Sequence, residues 1–470
     1  MVNLIEKILC VEVLEKISRM QRFLHLELEI ARQQSTEVLS IFTTALDGIL
    51  DNLNPILIRL SEDTQLDKWE TLAIVRRLSD IVNSVDELHL RLQFIHGAWV
   101  RPETYVFIKN VLDFIPHDRR PGKVSIILSN SYSFEERDLS SHFEYALRAT
   151  NVRVPIQRET PTVFLPKIER DNPLNWANLV HECGHADYTG INELFQQQRI
   201  IPDQADDVTK AVLILWAKEI YCDVFATRIL GPAYLASFAT FALARVGAGG
   251  AERSYDTHPA SIVRIAIVRD ILEKNDLKVA LNGDWRDYGD LASFFYNALE
   301  ERAKLDRKYV RPVVPLPRLP LQLQDFVDAS CEQIDELISL NRQLTPGDFS
   351  RIDHLARRLS SGIPIAAYQN LELIGKETKN FPEVDLDTQK LNELKEAVQE
   401  PRALLWEIVN AGWLHKIKSI YPAAFALFFG PGDTTLQEKI AGWGEELEAI
   451  DRLLLKSIES SEIQQLMEEM

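Results

Sequence analysis

Between residues 211 and 226 the chain reads A-V-L-I-L-W-A-K-E-I-Y-C-D-V-F-A, a helical run apolar on nearly every face that still carries Glu219 and Asp223 one turn apart. Such a helix belongs in a protein interior, where two carboxylates on one stripe are costly unless a cation meets them. From these residues alone the partner could be a metal ion, Arg228 on the same helix, or water over a solvated Lys218/Glu219/Asp223 face. The run stops at Gly231-Pro232, an ordinary helix-ending pair, so Glu219 lies well inside it.

A second segment tips the balance toward a metal. His181-Glu182-Cys183-Gly184-His185 sets two histidines four residues apart, the helical spacing at which both imidazoles reach one zinc ion. Glu182, beside them, can take the proton of a zinc-bound water. A helix is expected here independently. Asn172 can cap it, Pro173 suits its first turn, and Leu174, Trp176, Leu179, Val180 and Cys183 supply apolar packing. Gly184 costs about 1 kcal/mol against alanine inside a helix, which makes sense where another backbone or a ligand approaches closely. With the two histidines in place, Glu219 completes a His/His/Glu ligand set. Asp223, one turn on, can accept the spare N–H of a ligand histidine.

The third element is T-H-P-A-S-I-V-R-I at 257–265, where Pro259 should open a helix and leave His258 at its N-terminal edge. Either His258 or Tyr255 could donate to the oxyanion of a tetrahedral intermediate, and His258 could equally be a plain helix cap. Arg264 can be read as a structural ion-pair partner.

In this order, H-E-C-G-H, E-I-Y-C-D and T-H-P-A-S-I-V-R-I resemble the gluzincin zinc peptidases, and the third resembles most the membrane prenyl-protein and heat-shock peptidases among them. The resemblance covers about 85 residues. It implies zinc held by His181, His185 and Glu219, Glu182 as general base, Asp223 as a supporting acid behind a ligand, and His258 as a contact to the substrate carbonyl. It also implies that the strand ending at Pro166, just before the motif helix, lies along an extended substrate. The chain departs from that family in having no stretch that reads as a transmembrane helix.

The fold class expected is mainly α with a small β-sheet (α+β), a zincin-like catalytic core flanked by two helical regions. At 470 residues two or three structural units are expected. Helical periodicity runs over 1–115, a region of mixed character with the motif over 116–310, a proline-rich linker over 311–320, and a second helical region over 321–470. Short β-branched runs at 124–128 and 152–156 predict strands, and Pro161–Pro166, with proline at both ends, predicts an edge strand.

The formal net charge of -18 repels phosphate backbones and anionic lipid, which argues against nucleic acid as a partner. Cys10, Cys183, Cys222 and Cys331 show no paired spacing, as expected of a reduced compartment. The first residues do not read as a secretory signal, and the most apolar stretch, 233–250, contains Arg245 and falls short of a bilayer span. These features predict a soluble, cytoplasmic protein.

The function expected is a zinc endopeptidase acting on peptides or proteins. A zinc amidohydrolase of a small molecule and a non-enzymatic helical adaptor with a relic metal site are the alternatives. The helical flanks could cover the cleft, bind a regulatory partner or self-associate, and a flank that must move would make the enzyme latent.

Overall fold

A computed structural model of the chain describes residues 2–31, most of 50–78, 101–115, 125–129, 135–138, 161–166, 169–197, 207–245, 258–274, 279–309, 321–341, 349–365, 402–430 and 434–469. The linker at 311–320, the strand expected at 152–156 and Tyr255 lie outside these residues.

The architecture is mostly helical. In the N-terminal region α1 spans Val2–Ala31 and α2 spans Pro102–Leu112. Three short strands follow, β1 (Ser125–Ser129), β2 (Glu135–Asp138) and β3 (Pro161–Pro166). The motif helix α3 (Ala177–Gly184) leads through α4 (Tyr188–Gln197) into the long α5 (Asp207–Leu230), then α6 (Pro232–Arg245), α7 (Ser261–Lys274) and α8 (Arg286–Tyr309). The C-terminal region holds α9 (Leu321–Asn341), α10 (Phe349–Ser360), α11 (Leu405–His415), α12 (Tyr421–Phe429) and α13 (Leu436–Glu469), with one π-helical segment, Lys416–Ile420, joining α11 to α12. No helix among the described residues is long and apolar enough to cross a membrane.

The sheet order is β1-β3-β2, with β3 parallel to β1 and antiparallel to β2. The strand expected at the edge is therefore the central one. Its prolines are tolerated because they occupy its two ends, Pro161 opposite Asp138 and Pro166 opposite Ser129, where a missing N–H removes at most a terminal ladder bond.

The core runs through α5. From Glu219 to Leu230 every residue is buried, which is why this stretch is apolar all round. It packs against α3, α7 and α9, and the C-terminal helix α11 lies across the junction of α5 with α6. Gly231 makes that junction with φ +60, and Pro232 starts the next helix. The polar groups freed by the turn are taken up by one side chain from far along the chain. Asn410 on α11 donates Nδ2–H to Leu230 O at 2.7 Å and accepts the Ala233 N–H on Oδ1 at 3.0 Å.

The first and last helices are joined by buried charges. Arg19 on α1 pairs with Glu15 at 2.9 Å and with Asp451 on α13, while Lys416 lies 2.9 Å from Glu12 and 3.1 Å from Glu15. Removing one partner from such a set strands the other in a low dielectric, so these ions act together.

Candidate metal centre

The chain enters the motif helix through three-residue turns rather than through a capped start. Asn175 N–H bonds Asn172 O, Ala177 N–H bonds Leu174 O, and Leu179 N–H bonds Trp176 O. The helix begins at Ala177, so Asn172 does not cap it; its side chain donates to Glu169 Oε2 instead. Pro173 correspondingly lies in a turn before the helix rather than in its first turn. The motif itself is helical through Gly184, and His185 keeps helical dihedrals as the C-cap.

Gly184 faces α5 at very short range. A Cβ there would lie 3.1 Å from Cys222 Cα and 3.2 Å from Cys222 Sγ. The glycine is thus where the two helices touch backbone to backbone, the close approach its presence in a helix suggested.

That contact brings the expected ligands together. His181 Nε2 lies 3.1 Å from Glu219 Oε2, and His185 Nε2 lies 3.5 Å from Glu219 Oε1. His258, ahead of α7, brings its Nε2 to 3.4 Å from Glu219 Oε1 while its side chain stays half exposed. Glu182 is buried on the same helix as the two histidines. His181, His185 and Cys222 also form a group whose donor atoms all lie within 4.8 Å of one another, and Cys222 is a neighbour that reading the motifs did not single out.

Behind His181 stands a buried polar cluster. Asp223, fully buried, lies 3.0 Å from His181 Nδ1. It accepts Tyr234 O–H at 2.5 Å and two bonds from Arg264, Nε to Oδ2 at 2.7 Å and Nη2 to Oδ1 at 2.6 Å. Carboxylates thus meet both ring nitrogens of His181, Asp223 at Nδ1 and Glu219 at Nε2, and a carboxylate behind Nδ1 is the partner that orients a ligand histidine. Tyr234 was not legible as a site residue. It lies in an apolar helix and reaches Asp223 only because Gly231 folds α6 back over α5. Its ring stacks on that of His181 at an interplanar angle of 7°.

The electrostatics follow from burial and these partners. Burial and the charge of Arg264 oppose protonation of His181, but hydrogen bonds to Asp223 and Glu219 outweigh them and raise its pKa to about 9. Burial lowers that of His185 to about 4. Burial opposes ionisation of Glu219, yet His181 in the first place, then His185 and Arg264, bring its pKa down to about 2. Asp223 is likewise held far below the usual carboxylate range, Arg264 outweighing burial. Burial and the nearby Glu219, Glu182 and Asp223 push the Cys222 thiol well above its usual range.

The donor set suits a divalent cation. Glu219 and Asp223 lie against the buried guanidinium of Arg264, at 3.6 and 2.6 Å, and Glu182 is buried on the facing helix. The 3.1 Å separation ends at Glu219 Oε2 and the 3.5 Å one at Oε1, so each imidazole meets a different oxygen of the carboxylate.

The chain matches no family model, no curated protein and no solved structure.

Proposed function

We propose that the chain is a zinc-dependent endopeptidase of gluzincin type with a zincin-like core, the metal held by His181, His185 and Glu219. One observation carries the reading: two imidazoles from one helix, His181 and His185, lie 3.1 and 3.5 Å from the two oxygens of a buried carboxylate on a second, Glu219. Zinc bound there supplies a Lewis acid for a peptide carbonyl and makes a water acidic near neutral pH.

The remaining work falls to the chain. Glu182 takes the proton of the attacking water and returns it to the leaving amine. Asp223 keeps His181 in one tautomer, and Arg264 and Tyr234 hold Asp223 in place. His258, half exposed at the pocket, donates to the oxyanion. An extended peptide pairs along β2 rather than β3, since β2 is the outer of these two among the described strands and packs beside the motif helix.

Elemental analysis of the purified chain with peptide-hydrolysis assays tests the proposal. The parent should hold about one zinc per chain, His181→Ala and Glu219→Ala should lose it, and Glu182→Gln should keep it while losing hydrolysis. A parent that takes up no zinc after reconstitution, or a Glu182→Gln variant as active as the parent, overturns it.

A further inference from the structure

Cys222 is the member of the donor cluster to which the peptidase mechanism gives no task. It lies three residues beyond Glu219 on α5, on the same face, fully buried. Its sulfur belongs to the group with His181 and His185 whose donor atoms fall within 4.8 Å of each other. The lane between them is open because residue 184 has no side chain, since a Cβ there would sit 3.2 Å from the sulfur.

We propose that Cys222 is a fourth protein ligand of the ion held by His181, His185 and Glu219, so that the resting centre is closed. The inference rests on the ligand set proposed above and adds its regulation. Zinc takes sulfur at about 2.3 Å and nitrogen at about 2.0–2.1 Å, giving ligand edges of about 3.3–3.6 Å. Against the 4.8 Å span of the three donors, this asks for a closure of about 1 Å, within reach of a rotation about the cysteine χ1. On binding, the thiol proton leaves to solvent and the sulfur takes the cation in its place. Four protein donors are the arrangement of structural zinc sites, whereas catalytic sites keep a position open for water. The sulfur must therefore withdraw before a substrate carbonyl can be polarised, and the chain rests latent.

Zinc K-edge X-ray absorption on the full-length chain loaded with zinc chloride tests this without an activity readout. The parent and a Cys183→Ser control should show one sulfur at about 2.3 Å beside nitrogen and oxygen at about 2.0–2.1 Å. Cys222→Ser should keep its zinc with nitrogen and oxygen alone, and Cys222→Ala repeats the comparison should the buried hydroxyl destabilise the fold. A parent shell of nitrogen and oxygen only, or a sulfur that survives in both Cys222 variants, overturns the inference and leaves the His/His/Glu centre standing. A parent that binds no zinc overturns both.

Discussion

Arg264 on α7 grips Asp223 with two nitrogens, Nε at 2.7 Å and Nη2 at 2.6 Å, both residues buried and Asp223 one turn of α5 beyond Glu219. The pair is the rigid backing of the centre, because Asp223 also orients His181.

Removing the guanidinium strips the fully buried Asp223 carboxylate of its two-pronged partner. Arg264→Met should therefore cost about 3–5 kcal/mol of stability, and adding Asp223→Asn should recover part of it. Urea denaturation of the single and double variants measures this. Equal loss in both would mean that the ion pair is not what Arg264 contributes.

Gly184→Val should destabilise the chain by about 1–3 kcal/mol, because its Cβ meets the Cys222 backbone at 3.1 Å and neither helix can retreat without opening the core. Gly184→Ala tests the same contact more gently, its gain in helix propensity of about 1 kcal/mol opposing the clash. Thermal melts should rank parent above the valine variant, with zinc retention falling in the same order.

Asn410→Ala should cost about 2–4 kcal/mol, since it frees the Leu230 carbonyl and the Ala233 N–H in a fully buried turn. Asn410→Asp should be no better, because a carboxylate cannot donate to Leu230 O. A denaturation midpoint unchanged in both variants would contradict the clamp.

Glu6 supplies a pH dependence remote from the centre. Burial raises its pKa from 4.5 to about 8, so the folded chain binds a proton that the unfolded chain releases above its own lower pKa. Stability should thus fall as pH rises from about 4.5 to about 8 and level off above. Glu6→Gln should raise the denaturation midpoint at about pH 9 and leave it unchanged at about pH 4. A gain of the same size at both values would assign the effect to packing instead.

The parts of the site legible in the sequence were those written in local periodicity. His181 and His185 share a helix face by spacing alone, and the burial of Glu219 and Asp223 follows from the apolar residues around them. Gly184 announced a close approach, though only the fold shows that Cys222 makes it. Strand β2 carried no signal, because E-E-R-D has no apolar alternation. The proline pair around 161–166 pointed to the edge because proline is excluded from ladder interiors, yet both rings sit where the ladders end. Asn410 was beyond reach for a different reason: its partners lie 177 and 180 residues upstream, and no local pattern reports them.

The Asn410 clamp also bears on how such a chain can diverge. One amide closes the last carbonyl of the helix bearing Glu219 and the first free N–H of the helix bearing Tyr234. Drift near residue 410 is therefore filtered by its effect on a turn far away in sequence. Lineages that change the C-terminal helices should carry matching changes around 230–233, and those that shed these helices should have rebuilt that turn.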